Sequence, residues 1–203
     1  MRRPPPATRM NEAASEVDTE AMLRLRDGDD LALNELMTRW QQPLVRFLYR
    51  YTVSEQDALD LAQETFVRVY EHRAKYDARG KFSTWLYTIA GNLCRNHARW
   101  KTRHPTVSME TQTSAQSDTT LGDQLPDKTR TPAQDAASHE LADAVRDAIQ
   151  ELPDDQRTAT VLYEYEDVAY ADIAQVLGCS VKAVENKLYR ARQFLRERLS
   201  RWL

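Results

Sequence analysis

The sequence predicts an all-α protein made of two small helical domains joined by a flexible linker, the C-terminal one containing a helix-turn-helix. Three observations carry this reading. Chain breakers are scarce, with 5 glycines and 8 prolines in 203 residues, three of the prolines together at Pro4, Pro5 and Pro6, so the interior favours helix. Apolar residues recur at helical spacing in both halves, with no sustained β-type alternation. Between Arg103 and Thr131 that periodicity vanishes into a stretch rich in Ser, Thr, Gln, Asp and Pro.

Taken in order, residues 1–17 read as a Pro-rich, disordered extension, and Met10 offers a second candidate start. Arg2 and Arg3 are followed by prolines and no apolar core, so no secretory signal is expected. Residues 18–102 form one helical domain, broken at Asp27-Gly28-Asp29-Asp30, at Thr52-Val53-Ser54 and at Asp77-Ala78-Arg79-Gly80. Ser54 and Ser83 each precede a helical run whose first orphan amides they can accept from. Residues 103–135 are the linker, expected to leave the two domains uncoordinated when free in solution. Residues 136–203 form the second domain, with breaks at Leu152-Pro153-Asp154-Asp155 and at Gly178-Cys179-Ser180; Ser180 is the next capping residue.

The net charge of −3 conceals a segregation. From Glu12 to Glu71 acids outnumber bases, whereas Arg79, Lys81, Arg95, Arg99, Lys101 and Arg103 occur with no acid among them. Such asymmetry predicts separate partner surfaces, one for an anion and one for a basic protein. Other classes are disfavoured. Cys94 and Cys179 make no C-x-x-C pair, and His72, His97, His104 and His139 occur singly. No phosphate-binding or nucleophile-elbow motif is present, so we expect no catalytic residue, no metal, no cofactor and no enzyme. No run approaches the ~18 apolar residues of a membrane span, and a cytoplasmic protein without membrane insertion is expected.

Three constellations stand out. In the first, Tyr170 to Arg192 reads as helix, tight turn at Gly178, and second helix, with Val184, Leu188, Ala191 and Leu195 on one buried stripe. Lys182, Asn186, Tyr189, Arg190 and Gln193 lie opposite, residue types that reach phosphates and base edges from a major groove; an ordinary hairpin with a polar outside is the competing reading. In the second, Phe82 to Arg103, Trp85, Ile89, Leu93 and Trp100 should be core, while Thr88, Asn92, Arg95 and Arg99 share a stripe edged by Asn96 and Arg103. Amides and guanidiniums without a neighbouring acid suit DNA. The preceding loop offers Tyr76, Lys81 and Phe82 to an unpaired base, although both aromatics can equally be core. In the third, Glu55 to Glu71, Ala58, Leu59, Ala62, Phe66 and Val69 make the inner face, and Asp57, Asp60, Glu64 and Glu71 line the outside with Val67 among them. An acidic strip carrying an aliphatic suits a basic helix of a partner; solvated surface is its competitor.

Together and in this order, the segments resemble the extracytoplasmic-function (ECF) subgroup of the sigma-70 family of bacterial RNA polymerase sigma factors. Asp57-Ala-Leu-Asp-Leu-Ala-Gln-Glu-Thr-Phe-Val-Arg-Val-Tyr70 is similar to that family's core-polymerase-binding helix, D-A-E-D-L-x-Q-E-x-F-x-x-x-W, with Tyr70 in place of Trp. Phe82 to Arg99 resembles the segment that reads and melts the −10 element, and Leu152 to Leu195 the −35-binding domain with its closing L-x-R-A-R. The resemblance implies that Asp57, Asp60, Gln63 and Glu64 dock on the clamp helices of the polymerase β′ subunit. It implies that Asn92, Arg95, Asn96 and Arg99 contact the −10 element while the loop of Lys81 and Phe82 captures a flipped base. Lys182, Asn186, Lys187 and Arg190 would read the −35 element, with Glu185 an acidic departure there. Implied partners are core RNA polymerase, including its β flap, promoter DNA and a cognate anti-sigma factor. Two other classes compete: a stand-alone helix-turn-helix regulator, for which no dimer seam is visible, and a helical adaptor, which leaves the basic stripe unexplained.

Overall fold

A computed structural model of the chain describes residues 8–104 and 132–202. Among them there is no strand. The first domain is a four-helix arrangement of α1 (Thr8–Arg26), α2 (Leu31–Thr52), α3 (Glu55–Glu71) and α4 (Phe82–Arg103). The second comprises α5 (Pro132–Gln150), α6 (Asp154–Glu164), α7 (Tyr170–Leu177) and α8 (Val181–Arg198). Helix α1 begins at Thr8, within the N-terminal extension that the sequence reads as disordered. The expected linker loses Arg103 to α4 and residues 132–135 to α5; residues 105–131 lie outside the described part.

The breaks fall where local chemistry put them. Gly28 turns the chain at φ +102° between α1 and α2. Val53 ends α2 in the left-handed region at φ 55°, its N–H donating to the Tyr49 carbonyl at 2.8 Å, an unusual post for a β-branched residue. Ser54 Oγ then accepts from the Asp57 amide at 3.2 Å and starts α3. Ser83 does not play that part in α4: the helix begins one residue earlier, capped by extended Lys81 without a side-chain bond.

Met22, Leu25, Leu36, Leu44, Phe47, Leu48, Phe66, Val69 and Leu86 fill the core between α1, α2, α3 and α4, each contributing about 1.5–3 kcal/mol of apolar burial. Asp18 is buried within it. Its carboxylate accepts from Arg39 Nε and Trp40 Nε1, both at 2.8 Å, and so ties α1 to α2. On α3 Leu59 is 38% exposed and Leu61 takes the inner position, a correction to the predicted face.

The second core gathers Ile149, Val161, Leu162, Ile173, Val176, Val184 and Leu188. Gly178 at φ 62° makes the tight turn after α7, and Ser180 Oγ accepts from the Ala183 amide at 3.2 Å to open α8. This is the helix-turn-helix that the sequence predicts. The domains are not left apart: α6 and α7 pack on α2 and α4, with Gln150 Nε2 donating to the Arg50 carbonyl at 2.9 Å and the Arg157 guanidinium over the Tyr51 ring at 4.9 Å.

Candidate nucleic-acid and polymerase interface

On α4, Asn92, Asn96, Arg99 and Arg103 are exposed along one side, at spacings of four, three and four residues. Arg99 and Arg103 have no ion-pair partner among the described residues, so their guanidiniums are available to phosphates. Arg95 is only 19% exposed at its side chain; it donates to Asn92 Oδ1 and lies 3.8 Å from Asp155. Thr88 is half-buried and spends its hydroxyl on the Thr84 carbonyl at 2.7 Å. Lys81 reaches across to Asp172 at 2.7 Å.

Two aromatics trade places relative to expectation. Phe82, offered for base stacking, is 1% exposed and packs edge-on to Trp40 and Tyr76 and beside Trp85, so it is a core residue and presents no face to a base. Tyr76 is likewise buried, its hydroxyl donating to the Gly80 carbonyl at 3.0 Å. Trp100, expected in the core, is 53% exposed and stacks on His104 at 5.2 Å. Helical periodicity places it with Leu93, yet near the C-terminal end of α4 its side chain stays largely exposed.

On α3, Asp60, Gln63, Glu64 and Val67 form one exposed strip, with Val67 at 51%. Asp60 takes a hydrogen bond from Gln56 and Glu64 one from Arg68, both within the helix, leaving the strip acidic in front. Asp57 faces the other way. Its carboxylate accepts from Lys101 Nζ at 2.6 Å with His97 Nε2 at 3.4 Å, binding α3 to α4. Burial pushes this carboxyl up, but the hydrogen bonds from Lys101 and Ser54 and the Lys101 charge outweigh burial and hold it below its ordinary range.

On α8, Asn186, Tyr189 and Arg190 point outward, Tyr189 being 62% exposed and accepting from Gln193 Nε2 at 2.7 Å. Lys182 pairs with Glu185 at 2.8 Å, which gives that unexpected acid a partner one turn away. Lys187 does not join this face; it turns to Asp155 on α6 at 2.8 Å. Arg192 and Arg198 are committed to Glu164 and Glu151. Cys94 is buried, which pushes its thiol up to about 12 and leaves it inert near neutral pH. Among the described residues, no three His, Cys, Asp or Glu side chains could hold a metal ion, and no helix is long and apolar enough to cross a membrane.

Comparison with known proteins decides what these strips belong to. The Sigma-70 region 2 model matches residues 36–104, spanning α2 to α4, and the Sigma-70 region 4 model matches residues 142–195, spanning α5 to α8. The RNA polymerase sigma-H factor of Pseudomonas aeruginosa is 33% identical over 88% of this chain and 91% of its own length. The ECF RNA polymerase sigma-E factor of Haemophilus influenzae is 33% identical over 92% and 97%. This chain belongs to the ECF group of sigma-70 factors. The sigma factor also shares its fold with CnrH, solved in complex with the cytosolic domain of CnrY, at a TM-score of 0.66 and 26% identity over 91% of this chain and 97% of that one. Bartonella quintana RpoE, solved with the anti-sigma factor NepR, has the same fold at a TM-score of 0.60 and 21% identity over 82% and 96%. The acidic strip of α3 and the cationic strip of α4 thus lie in region 2, and the strip of α8 in region 4.

Sequence reasoning missed the residues that join the domains: Arg50 and Tyr87 in region 2, and Asp155, Glu166 and Asp172 in region 4. No local signal marks them, because each partner lies 60 to 116 residues away or belongs to an otherwise ordinary polar surface.

Proposed function

We propose that this sigma factor binds core RNA polymerase and directs it to promoters, reading the −10 element with α4 and the −35 element with α8. Asp60, Gln63, Glu64 and Val67 dock on the clamp helices of β′, and region 4 leans on the β flap. Asn92, Asn96, Arg99 and Arg103, joined by Arg95 and Lys81 once these leave their acids, contact the −10 element; Lys182, Asn186, Tyr189, Arg190 and Gln193 face the −35 element. The chain performs no chemistry of its own, works in the cytoplasm, and is silenced by a cognate anti-sigma factor that covers its polymerase-facing surfaces. The observation that carries this reading is the division of labour between strips: amides with guanidiniums unpaired among the described residues on α4 and α8, and acids around an exposed valine on α3. Amides and guanidiniums match base edges and phosphates, and an acidic, partly aliphatic strip matches a basic helix. Run-off transcription on promoter fragments with bacterial core enzyme tests it. Defined start sites should appear only when the sigma factor is added; no start-site selection with any core enzyme would overturn the reading.

A further inference from the structure

Between Val181 and Arg196, Glu185 is the only acid on a helix that carries Lys182, Lys187, Arg190, Arg192 and Arg196. Its partner is Lys182, whose Nζ lies 2.8 Å from Glu185 Oε2 with both side chains open to solvent. The pair does little for the helix. Lys182 stands in the first turn of α8, where the aligned amide dipoles disfavour a cation, and an acid ahead of a base is the order those dipoles reward. Nor does the pair join elements, since α8 meets α6 through Lys187 and Arg192, which hold Asp155 and Glu164. It stands instead one turn before exposed Tyr189, in the N-terminal half of the second helix of a helix-turn-helix, the part that reaches base edges in a major groove.

A carboxylate can only accept. In the major groove it is repelled by guanine N7 and O6 and by thymine O4, and the adenine N6 donor sits beside the N7 acceptor; cytosine offers its N4 donor with no acceptor next to it. The guanine of the same pair offers O6 and N7, which repel an acid and suit an ammonium. Cytosine N4 and guanine O6 are themselves hydrogen-bonded, about 2.9 Å apart. The 2.8 Å between Lys182 Nζ and Glu185 Oε2 matches that spacing, so each charged atom can meet its complement while the ion pair stays closed. Neither charge is then buried without a partner.

We infer that Lys182 and Glu185 act as one reader of a C·G pair in the −35 element, the carboxylate accepting from cytosine N4 and the ammonium donating to O6 or N7 of the paired guanine. The inference rests on the assignment of α8 as the −35 face and adds which base pair that face selects. It makes the acid a specificity determinant: Glu185 adds little affinity for DNA and rejects the base pairs whose acceptors would face it.

Run-off transcription by the full chain with core enzyme tests this, on a promoter that the factor uses and on versions with each −35 base pair changed in turn to the other three. At one position the parent should lose roughly ten-fold or more when C·G is replaced, the discrimination of a good two-bond base contact. Glu185→Gln, which both donates and accepts, should move the preference at that position to A·T. Lys182→Glu combined with Glu185→Lys exchanges donor and acceptor and should favour the same pair inverted, G·C. Both variants should keep the parent's helical circular dichroism, because the side chains are exposed. An unchanged preference at every position in both variants, or a parent that selects no C·G pair, would overturn the inference while leaving α8 on the −35 element. A parent indifferent to every −35 substitution would overturn the assignment of α8 itself, and the inference with it.

Discussion

At the scale of single residues, the least comfortable position is Val53, which holds a left-handed conformation with a β-branched side chain and 37% exposure. Glycine relieves that conformation at little loss of burial, so Val53→Gly should stabilise region 2 by about 1 kcal/mol in urea denaturation, net of the added freedom of the unfolded chain. Asp18 is the opposite case. Its buried carboxylate accepts from the N–H of half-buried Trp40 and faces Arg39, so Asp18→Ala should cost about 3 kcal/mol, and Asp18→Asn less because it keeps an acceptor. Asp57 gives a pH signature. Because its carboxyl is held below the ordinary range, its contribution is complete above about 3.9 and fades as pH falls through the lowered value. Denaturation of the parent and Asp57→Asn should therefore differ near neutral pH and converge on acidification; a constant difference down to about pH 2 would remove Asp57 from the α3–α4 tie.

At the scale of elements, the helices were legible because their signals are local. Ser54, Gly178 and Ser180 cap or turn the chain with atoms three or four residues away, and the buried stripe of α8 follows from spacing alone. Where the neighbour decides, spacing failed: Phe82 is enclosed by Trp40 of α2, and Trp100, near the C-terminal end of α4, stays exposed. The division between α3 and α8 can be separated by mutation. Asn186→Ala and Arg190→Ala should each cost on the order of 1–3 kcal/mol in −35-dependent initiation while leaving polymerase association intact. Asp60→Lys combined with Glu64→Lys should do the reverse, reducing co-purification with core enzyme while the helical circular dichroism is unchanged. Normal initiation by both α8 variants on a −35-dependent promoter would remove that helix from the docking face.

At the scale of the molecule, the two-domain architecture followed from composition, and charge segregation along the chain is the basis for proposing distinct partner surfaces. The docking of region 4 on region 2 was not legible, since Arg50 and Glu166 lie 116 residues apart and neither belongs to a recognisable motif. An uncoordinated pair of domains and a closed pair differ in what core enzyme must do, namely bring the units together or first prise them apart. In both cases α4 and α8 must meet DNA in one assembled complex. Photo-cross-linking from probes placed at Asn96 and at Asn186, in the sigma factor bound to core polymerase on promoter DNA, tests that most directly. Cross-links from position 96 should map to the −10 element and those from position 186 to the −35 element; probes that label only protein, or that exchange elements, would contradict it.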